Sequence, residues 1–308
     1  MLTVTLNPTV DHFVLSKKFE LGQLNRVHDL ERQPGGKGIN IAMMLGVMGA
    51  EVIATGFLGR AVSQFVQETL HRNHVTTNFV HINEPTRHNY FIIDEASGTR
   101  TLLDEEGPRV ENEELSYFID NYTRLLKRCS MIVLAGSIPR MEEQNIYCRL
   151  MDIANEAEVP VVINTQEEFL VKCIEKQPFL IMPDMRSTDY LLGEKIDEDL
   201  GYKKSVCQIL SKGQSMAILT FDNENYIVTT KNGCFEAVAP QVDVRSRLKT
   251  GDGMIAGVIY GLNKGYTEKE AIKYGVALST AASTYRVRFI QNKEEVEELV
   301  DKVIIKEV

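Results

Sequence analysis

The sequence predicts an α/β protein with a mostly parallel central sheet. From the middle of the chain onward, short apolar runs that read as buried strands alternate with longer stretches that read as helices, which is the pattern of βαβ units. The first third carries short, exposed strands separated by turn residues instead. Together these give an α/β sandwich with a small β-rich appendage, built from about residues 12–34 and 86–104, within a single domain over 1–308. No linker, low-complexity tract or internal repeat interrupts it.

Leu2 to Leu6 alternates and is β-branched, so it reads as a strand. Residues 13–33 mix short apolar stretches with charge, as exposed strands or hairpins do. Gly35-Gly36-Lys37-Gly38 breaks that pattern, and a helix follows over 39–48 with Gly49 placed to end it. A strand over 52–57 and a helix over 61–73 come next. Residues 79–82 and 89–94 read as strands, with Asn83, Glu84 and Pro85 supplying a turn between them. Ser97-Gly98 is a hairpin turn that returns through 99–103. Helices are expected over 113–128, 142–156 and 202–211, and buried strands over 131–134, 159–163, 179–182 and 217–220.

Composition narrows the function. The 308 residues are 44% apolar and 25% charged, enough to bury a large core. A net charge of −9 argues against nucleic acid or an anionic membrane as a partner. It also requires any anion site to be locally positive. Five cysteines, an odd number with no C-x-x-C pair, read as reduced thiols of a cytoplasmic protein and not as a disulfide or zinc framework. The first residues resemble no signal peptide, and no apolar run is long enough to span a bilayer.

Five places carry chemistry. In Pro34-Gly35-Gly36-Lys37-Gly38-Ile39-Asn40, glycines let the backbone approach a ligand, the following helix presents N–H groups, Lys37 adds charge and Asn40 can bond a hydroxyl. A plain glycine turn would look the same. It is not a P-loop, since G-x-x-x-x-G-K-[ST] is absent. Thr250-Gly251-Asp252-Gly253 opens an apolar stretch over 254–262. Amides at a helix start can hold an oxyanion, and Asp252 can take a proton from a hydroxyl or serve only as an N-cap. Asp11, just past the first strand, suits two sugar hydroxyls or a simple turn. Arg87, near Asn89, is either a phosphate fork or a solvated charge. Ser137 follows a buried strand, where α/β proteins bind ligands.

In combination and order these segments resemble the PfkB (ribokinase-like) carbohydrate kinases, in the branch of 1-phosphofructokinase and tagatose-6-phosphate kinase. The matching segments are TVTLNPTVD (3–11), PGGKGIN (34–40), GFLG (56–59), TRHN (86–89), EEGP (105–108), LAGSIP (134–139), PFLIMPD (178–184) and TGDGMIAG (250–257). They span nearly the whole chain. GGKGIN with LNP-x-x-D is specific to this branch, while the GD near the C-terminus is common to the wider family. The resemblance implies a ribokinase-like three-layer α/β/α sandwich with a small β-strand lid. It implies ATP with Mg2+ as donor, a ketohexose monophosphate as acceptor and Asp252 as base, with Thr250 and Gly251 at the anion hole. Asp11, Gly35, Gly36, Lys37, Asn40, Arg87, Asn89 and Ser137 would grip the sugar phosphate. A homodimer through the lid is expected from apolar lid residues Phe13, Val14, Phe91 and Ile93.

The departures from the family pattern cluster on the nucleotide side. A strand-end lysine is replaced by Met182, an asparagine by Asp184 and a glutamate by Ser187. Both glycines of the S-L-G-x-x-G turn are gone from Thr220-Phe221-Asp222-Asn223-Glu224-Asn225, and G-A-G-D has become Lys249-Thr250-Gly251-Asp252. On the sugar side, a usual lid lysine is Phe91. One reading is decay to a sugar-phosphate or nucleotide sensor. The other is rewiring, in which Lys249 reaches an oxyanion in place of the lost lysine, Asp184 serves Mg2+, and Thr220, Asp222 and Asn225 line the nucleotide. Retention of Asp252 favours an enzyme.

Overall fold

The computed structural model describes residues 1–183, 190–197, 200–212, 214–220, 225–287 and 289–308, with Asp29 in its backbone alone. The chain opens with β1 (Leu2–Thr5), β2 (Thr9–Ser16), β3 (Asp29–Gly35), α1 (Lys37–Val47), β4 (Ile53–Gly59), α2 (Arg60–Arg72) and β5 (Thr76–Ile82). Next come β6 (Arg87–Asp94), β7 (Arg100–Asp104), α3 (Asn112–Leu126), β8 (Ile132–Ala135), α4 (Ile146–Glu156), β9 (Val161–Asn164) and α5 (Glu167–Ile174). β10 (Leu180–Ile181), β11 (Tyr190–Leu191) and β12 (Glu194–Lys195) precede α6 (Tyr202–Leu210), β13 (Met216–Thr220), β14 (Tyr226–Thr230) and β15 (Gly233–Val238). α7 (Thr250–Asn263), α8 (Glu268–Ser283), α9 (Glu294–Val300) and β16 (Ile304–Glu307) complete the order.

The main sheet runs β16-β15-β14-β13-β10-β9-β8-β1-β4-β5. From β13 to β5 every neighbour is parallel, and β14, β15 and β16 add an antiparallel edge. The parallel strands are apolar on both faces because both faces are covered. One core joins that sheet to α1, α2, α7, α8 and α9, and a second joins the other face to α3, α4, α5 and α6. This is the three-layer sandwich the sequence suggested. α1 and α7 are buried on nearly all sides, from Gly38 to Gly46 and from Asp252 to Gly261. That explains why both are apolar without a polar stripe.

Gly49 ends α1 as expected. It takes φ +76°, and the N–H of Ala50 returns to the carbonyl of Leu45 at 2.9 Å. α4 begins at Ile146 and not at 142, and α5, α8, α9 and β14 to β16 were not foreseen. The start of α8 was nevertheless written in the sequence. Thr267 Oγ1 accepts from the Glu270 amide, while Glu270 Oε2 accepts from the Thr267 amide at 2.8 Å.

A separate four-stranded sheet, β3-β2-β6-β7, forms the appendage. It begins at Thr9, three residues before the expected boundary, because β2 pairs with β3 and β6 along its whole length. Phe13 and Ile93 are buried, contrary to the expectation of exposed dimer residues. Period-two alternation turns them inward with Phe91, and the Phe13 and Phe91 rings stack at 4.8 Å. The exposed apolar residues of this sheet and its loops are Leu21, Leu24, Val27, Leu30, Leu102 and Leu103.

The cysteines also differ from expectation. Cys207 on α6 and Cys234 on β15 are joined by a disulfide, with their Cα atoms 6.0 Å apart. Cys148 and Cys173 face each other with sulfurs at 3.4 Å. The packing of α6 against the antiparallel edge creates the first pair, and spacing in the chain gave no sign of it. Among the described residues no helix is long and apolar enough to cross a membrane.

Candidate active site

A cavity of about 500 Å3 lies between the C-terminal ends of the parallel strands and the small sheet. The turns after β1, β8, β9 and β10 meet there, as strand ends do in open parallel sheets. Asp11, Gly36, Lys37, Asn40, Arg87, Asn89, Ser137, Thr220, Thr250, Gly251 and Asp252 line it. Eleven residues scattered from 11 to 252 are thus brought to one place. Asn7, Thr9, Asn164, Thr165 and Arg247 line it as well, and sequence reasoning missed them as site residues. Asn164 was findable, being a polar residue at the end of a buried strand.

The small sheet supplies its share by register. Gln33, Asp11, Asn89 and Asp104 form one row across β3, β2, β6 and β7, while Gly35, Thr9 and Arg87 form the next. Gly35 is required, since a Cβ there would run into the Asp11 carboxylate. Gly36 takes φ +109°, and a Cβ would lie 2.7 Å from Thr5 Cγ2, so the chain turns into α1 against β1 only with glycine.

Three asparagines share a pattern. Asn7 donates to Ser137 Oγ at 3.0 Å, Asn40 to Asp252 Oδ2 at 2.8 Å and Asn89 to Asp11 Oδ1 at 3.3 Å. Each spends its NH2 inside the protein, and each buried amide oxygen has no protein partner. Buried amide oxygens without a partner are uncommon, and all three belong to residues that line this one cavity.

Two cations flank them. Lys37 Nζ donates to Asn164 Oδ1 at 2.6 Å. Arg87 Nη1 bonds Asp104 Oδ1 at 2.6 Å and the Glu105 carbonyl at 3.1 Å, while its buried Nε has no partner. Its Nη2 also donates to the Asn7 carbonyl at 3.4 Å, so Arg87 is anchored through both terminal nitrogens and is not the solvated charge considered from sequence.

Asp252 is the third residue of α7, whose N-cap is Lys249, so it is not the cap. Burial lifts its carboxyl to about 6, against the attraction of Lys37 and Lys249 and the Asn40 bond. Burial also raises Asp11, opposed by Lys249 and Arg87.

On the nucleotide side, Met182 lines the cavity with its Cε 3.3 Å from where a Gly251 Cβ would lie. An apolar thioether thus stands at the turn where the family pattern puts a lysine. Lys249 does not take over that lysine's place, contrary to expectation. Its ammonium bonds Gln33 Oε1 at 3.1 Å and the Val287 carbonyl at 3.3 Å, turned away from the cavity. The reason is space: Phe13 and Phe289 offer ring faces at 5.4 and 4.1 Å to a cation at the joint with the small sheet. Asn225 accepts from the Ala239 amide at 3.0 Å, and Ala239 lines a second cavity of about 210 Å3 with Gln241, Ser279 and Ser283. Arg247 and Thr250 line both cavities, so the two meet at the start of α7. Asp184, Ser187 and Asp222 lie outside the described residues.

Residues 4–287 match the pfkB family of carbohydrate kinases. The chain belongs to that family. It is a sugar kinase, a phosphotransferase, and membership implies ATP as the donor. Among solved structures, a possible 1-phosphofructokinase from Thermotoga maritima is 29% identical, with TM-score 0.90 over 100% of this chain and 99% of that one. Phosphofructokinase-2 from Escherichia coli is 19% identical, with TM-score 0.89 over 98% of each. Ribokinase from Arabidopsis thaliana, solved with ribose and ATP, is 16% identical, with TM-score 0.75 over 97% and 98%. The last two share the fold.

Proposed function

We propose that this kinase phosphorylates a ketohexose monophosphate to the bisphosphate, with Asp252 as the base that takes the acceptor hydroxyl's proton. The reading is carried by one observation: Asp252, buried and lifted to about 6, opens on the same cavity as Asp11, Lys37 and Arg87. A carboxylate poised just below neutral pH accepts a proton and returns it readily. Asp11, Asn40 and Asn89 take the sugar hydroxyls, with Gly35 and Gly36 holding the backbone close and Ser137 positioning Asn7. Arg87 and Lys37 take the phosphate already on the sugar, which the negative body of the protein would otherwise repel.

The amides of Gly251 and Asp252 at the start of α7 would face the transferred phosphoryl, beside Thr250, whose own amide donates to the Arg247 carbonyl. Positioning and charge neutralisation are most of what phosphoryl transfer asks of a protein. ATP fits along the second cavity, with its phosphates toward Thr250 and Thr220. Mg2+ would arrive on the ATP phosphates. Two relatives are phosphofructokinases by name, which favours a fructose phosphate, with tagatose 6-phosphate kept open by EEGP. The chain would work in the cytoplasm, as a homodimer through the exposed Leu30, Leu102 and Leu103 of the small sheet.

A competing reading, a sugar-phosphate sensor, is favoured by Met182 beside Gly251. ADP release from Mg-ATP against fructose 1-phosphate, fructose 6-phosphate and tagatose 6-phosphate, beside Asp252→Ala, separates the two. Turnover with one acceptor, abolished in the variant, supports the kinase reading. Saturable sugar-phosphate binding without ADP overturns it in favour of the sensor.

A further inference from the structure

Lys249, which departs from the glycine of the family pattern, is a buried cation at the seam between the small sheet and the start of α7. Lys249 is 9% exposed, and it is the N-cap of α7. Its ammonium reaches out of the catalytic turn into the small sheet, bonding Gln33 on β3 and lying over Phe13 on β2. Gln33 is held in turn by its own donation to Glu31 Oε1 at 3.0 Å. A reach in the opposite direction lies close by. Arg100 on β7 donates to Ser246 Oγ at 3.0 Å and to the Arg245 carbonyl, three and four residues before Lys249. Two cations thus cross the same seam, one from each side.

The charges around this ammonium are Asp11 from β2, Glu31 from β3 and Asp252 from α7, while the segment after α8, which supplies the Val287 carbonyl and the Phe289 ring, brings Tyr285 and Arg286 to the small cavity that Lys249 also lines. Two of these are the carboxylates placed at the sugar and at the base. Gln33 sits in the same row of the small sheet as Asp11 and Asn89. Fixing Gln33 therefore fixes that row relative to α7.

We propose that Lys249 is a positioning residue that latches the sugar-gripping sheet to the turn opening α7, holding Asp11 and Asp252 in one geometry and balancing their charge. The reading rests on the proposed kinase function for its catalytic consequence, but the latch itself exists without any ligand. Glycine, usual at this position, can do neither task. Lysine here compensates for the lost strand-end cation by stiffening and charge balance, not by touching an oxyanion.

Two variants test it. Lys249→Met keeps an apolar stem against Phe13 and Phe289 and removes the charge. Gln33→Leu leaves the lysine and removes its partner on the small sheet. Hydrogen exchange of the β2 and β3 amides, without ligand, is expected to speed by at least about tenfold in both. With the parent's acceptor, both are expected to raise KM by about tenfold. In Lys249→Met alone, the acid limb of kcat/KM should move to higher pH, because Asp252 loses a nearby cation. A residue that merely filled space would leave that limb in place. Unchanged exchange in both variants overturns the latch, whether or not the parent turns over a sugar phosphate. Faster exchange with an unmoved acid limb overturns the charge-balancing part. Failure of the parent to make ADP would count against the kinase reading only, since the exchange result still decides the latch.

Discussion

Asn40 and Asp252, 212 residues apart, are joined by a 2.8 Å hydrogen bond between the first turn of α1 and the first turn of α7. The bond orients the carboxylate and leaves the buried Asn40 oxygen without a protein partner. It ties the glycine motif of the N-terminal region to the GD motif near the C-terminus, which makes the two one site.

Asp252→Asn removes the base and keeps the shape. We expect kcat to fall by about 10^2 to 10^4, while thermal stability at pH 7 holds or rises. The sign follows from the raised carboxyl. Between the ordinary 3.8 and about 6 the folded state binds more protons than the unfolded one, so this group's contribution falls as pH rises through that window. Above 6 its burial costs up to about 3 kcal/mol. Steady-state kinetics beside a melting curve checks both halves. A variant that loses activity and melts well below the parent would show a structural role instead.

The parent should show a bell-shaped pH dependence of kcat/KM. The acid limb lies near 6, where Asp252 gains its proton. The alkaline limb lies near 8, where Lys249, lowered by burial against the pull of Asp11, Asp252 and Glu31, loses its own. A flat profile from pH 5 to 9 would remove both residues from these roles.

Gly35→Ala forces a methyl group into the Asp11 carboxylate. Overpacking of this kind costs about 1–3 kcal/mol. Because Asp11 is the atom that must move, the effect should appear in the acceptor KM, raised about tenfold, more than in the KM for ATP. Equal change in both would mean that the strain spreads through the fold.

Arg87→Met should raise KM for a phosphorylated acceptor by about 10- to 100-fold, since charge-assisted bonds contribute about 1.5–3 kcal/mol. With an unphosphorylated ketohexose as acceptor, the variant and parent should be alike. Loss of the same size with both acceptors would place Arg87 on the fold, through its bond to Asp104, and not on the phosphate.

Thiol titration in denaturant without reductant should count three groups, Cys129, Cys148 and Cys173, with two more appearing after reduction. Cys207→Ser should lower stability by about 3.5 kcal/mol, the loop-closure effect of a bond spanning 27 residues. Five thiols before reduction would return the protein to the fully reduced state its composition suggested.

Much of the fold was legible in the sequence. Alternation of apolar strands and helices specified the parallel sheet, and Gly49 specified the end of α1, because such signals act within a few residues. The glycine and GD motifs, with Asp11, Arg87 and Asn89, marked a site because their residue types have few cheaper explanations when they occur together. What the sequence did not decide were directions and distances. Lys249 reads as a cation beside an anion hole, yet it turns into the seam because Gln33 and Val287 accept from it there and two aromatic rings cover it. Phe13 and Ile93 read as a dimer face because they are apolar residues of lid strands, yet register turns them inward. The Cys207–Cys234 pair and the unpartnered oxygens of three asparagines exist only once α6, β15 and the strand ends are assembled. Local order is written in neighbours along the chain; which side chains meet is settled by packing between elements hundreds of residues apart.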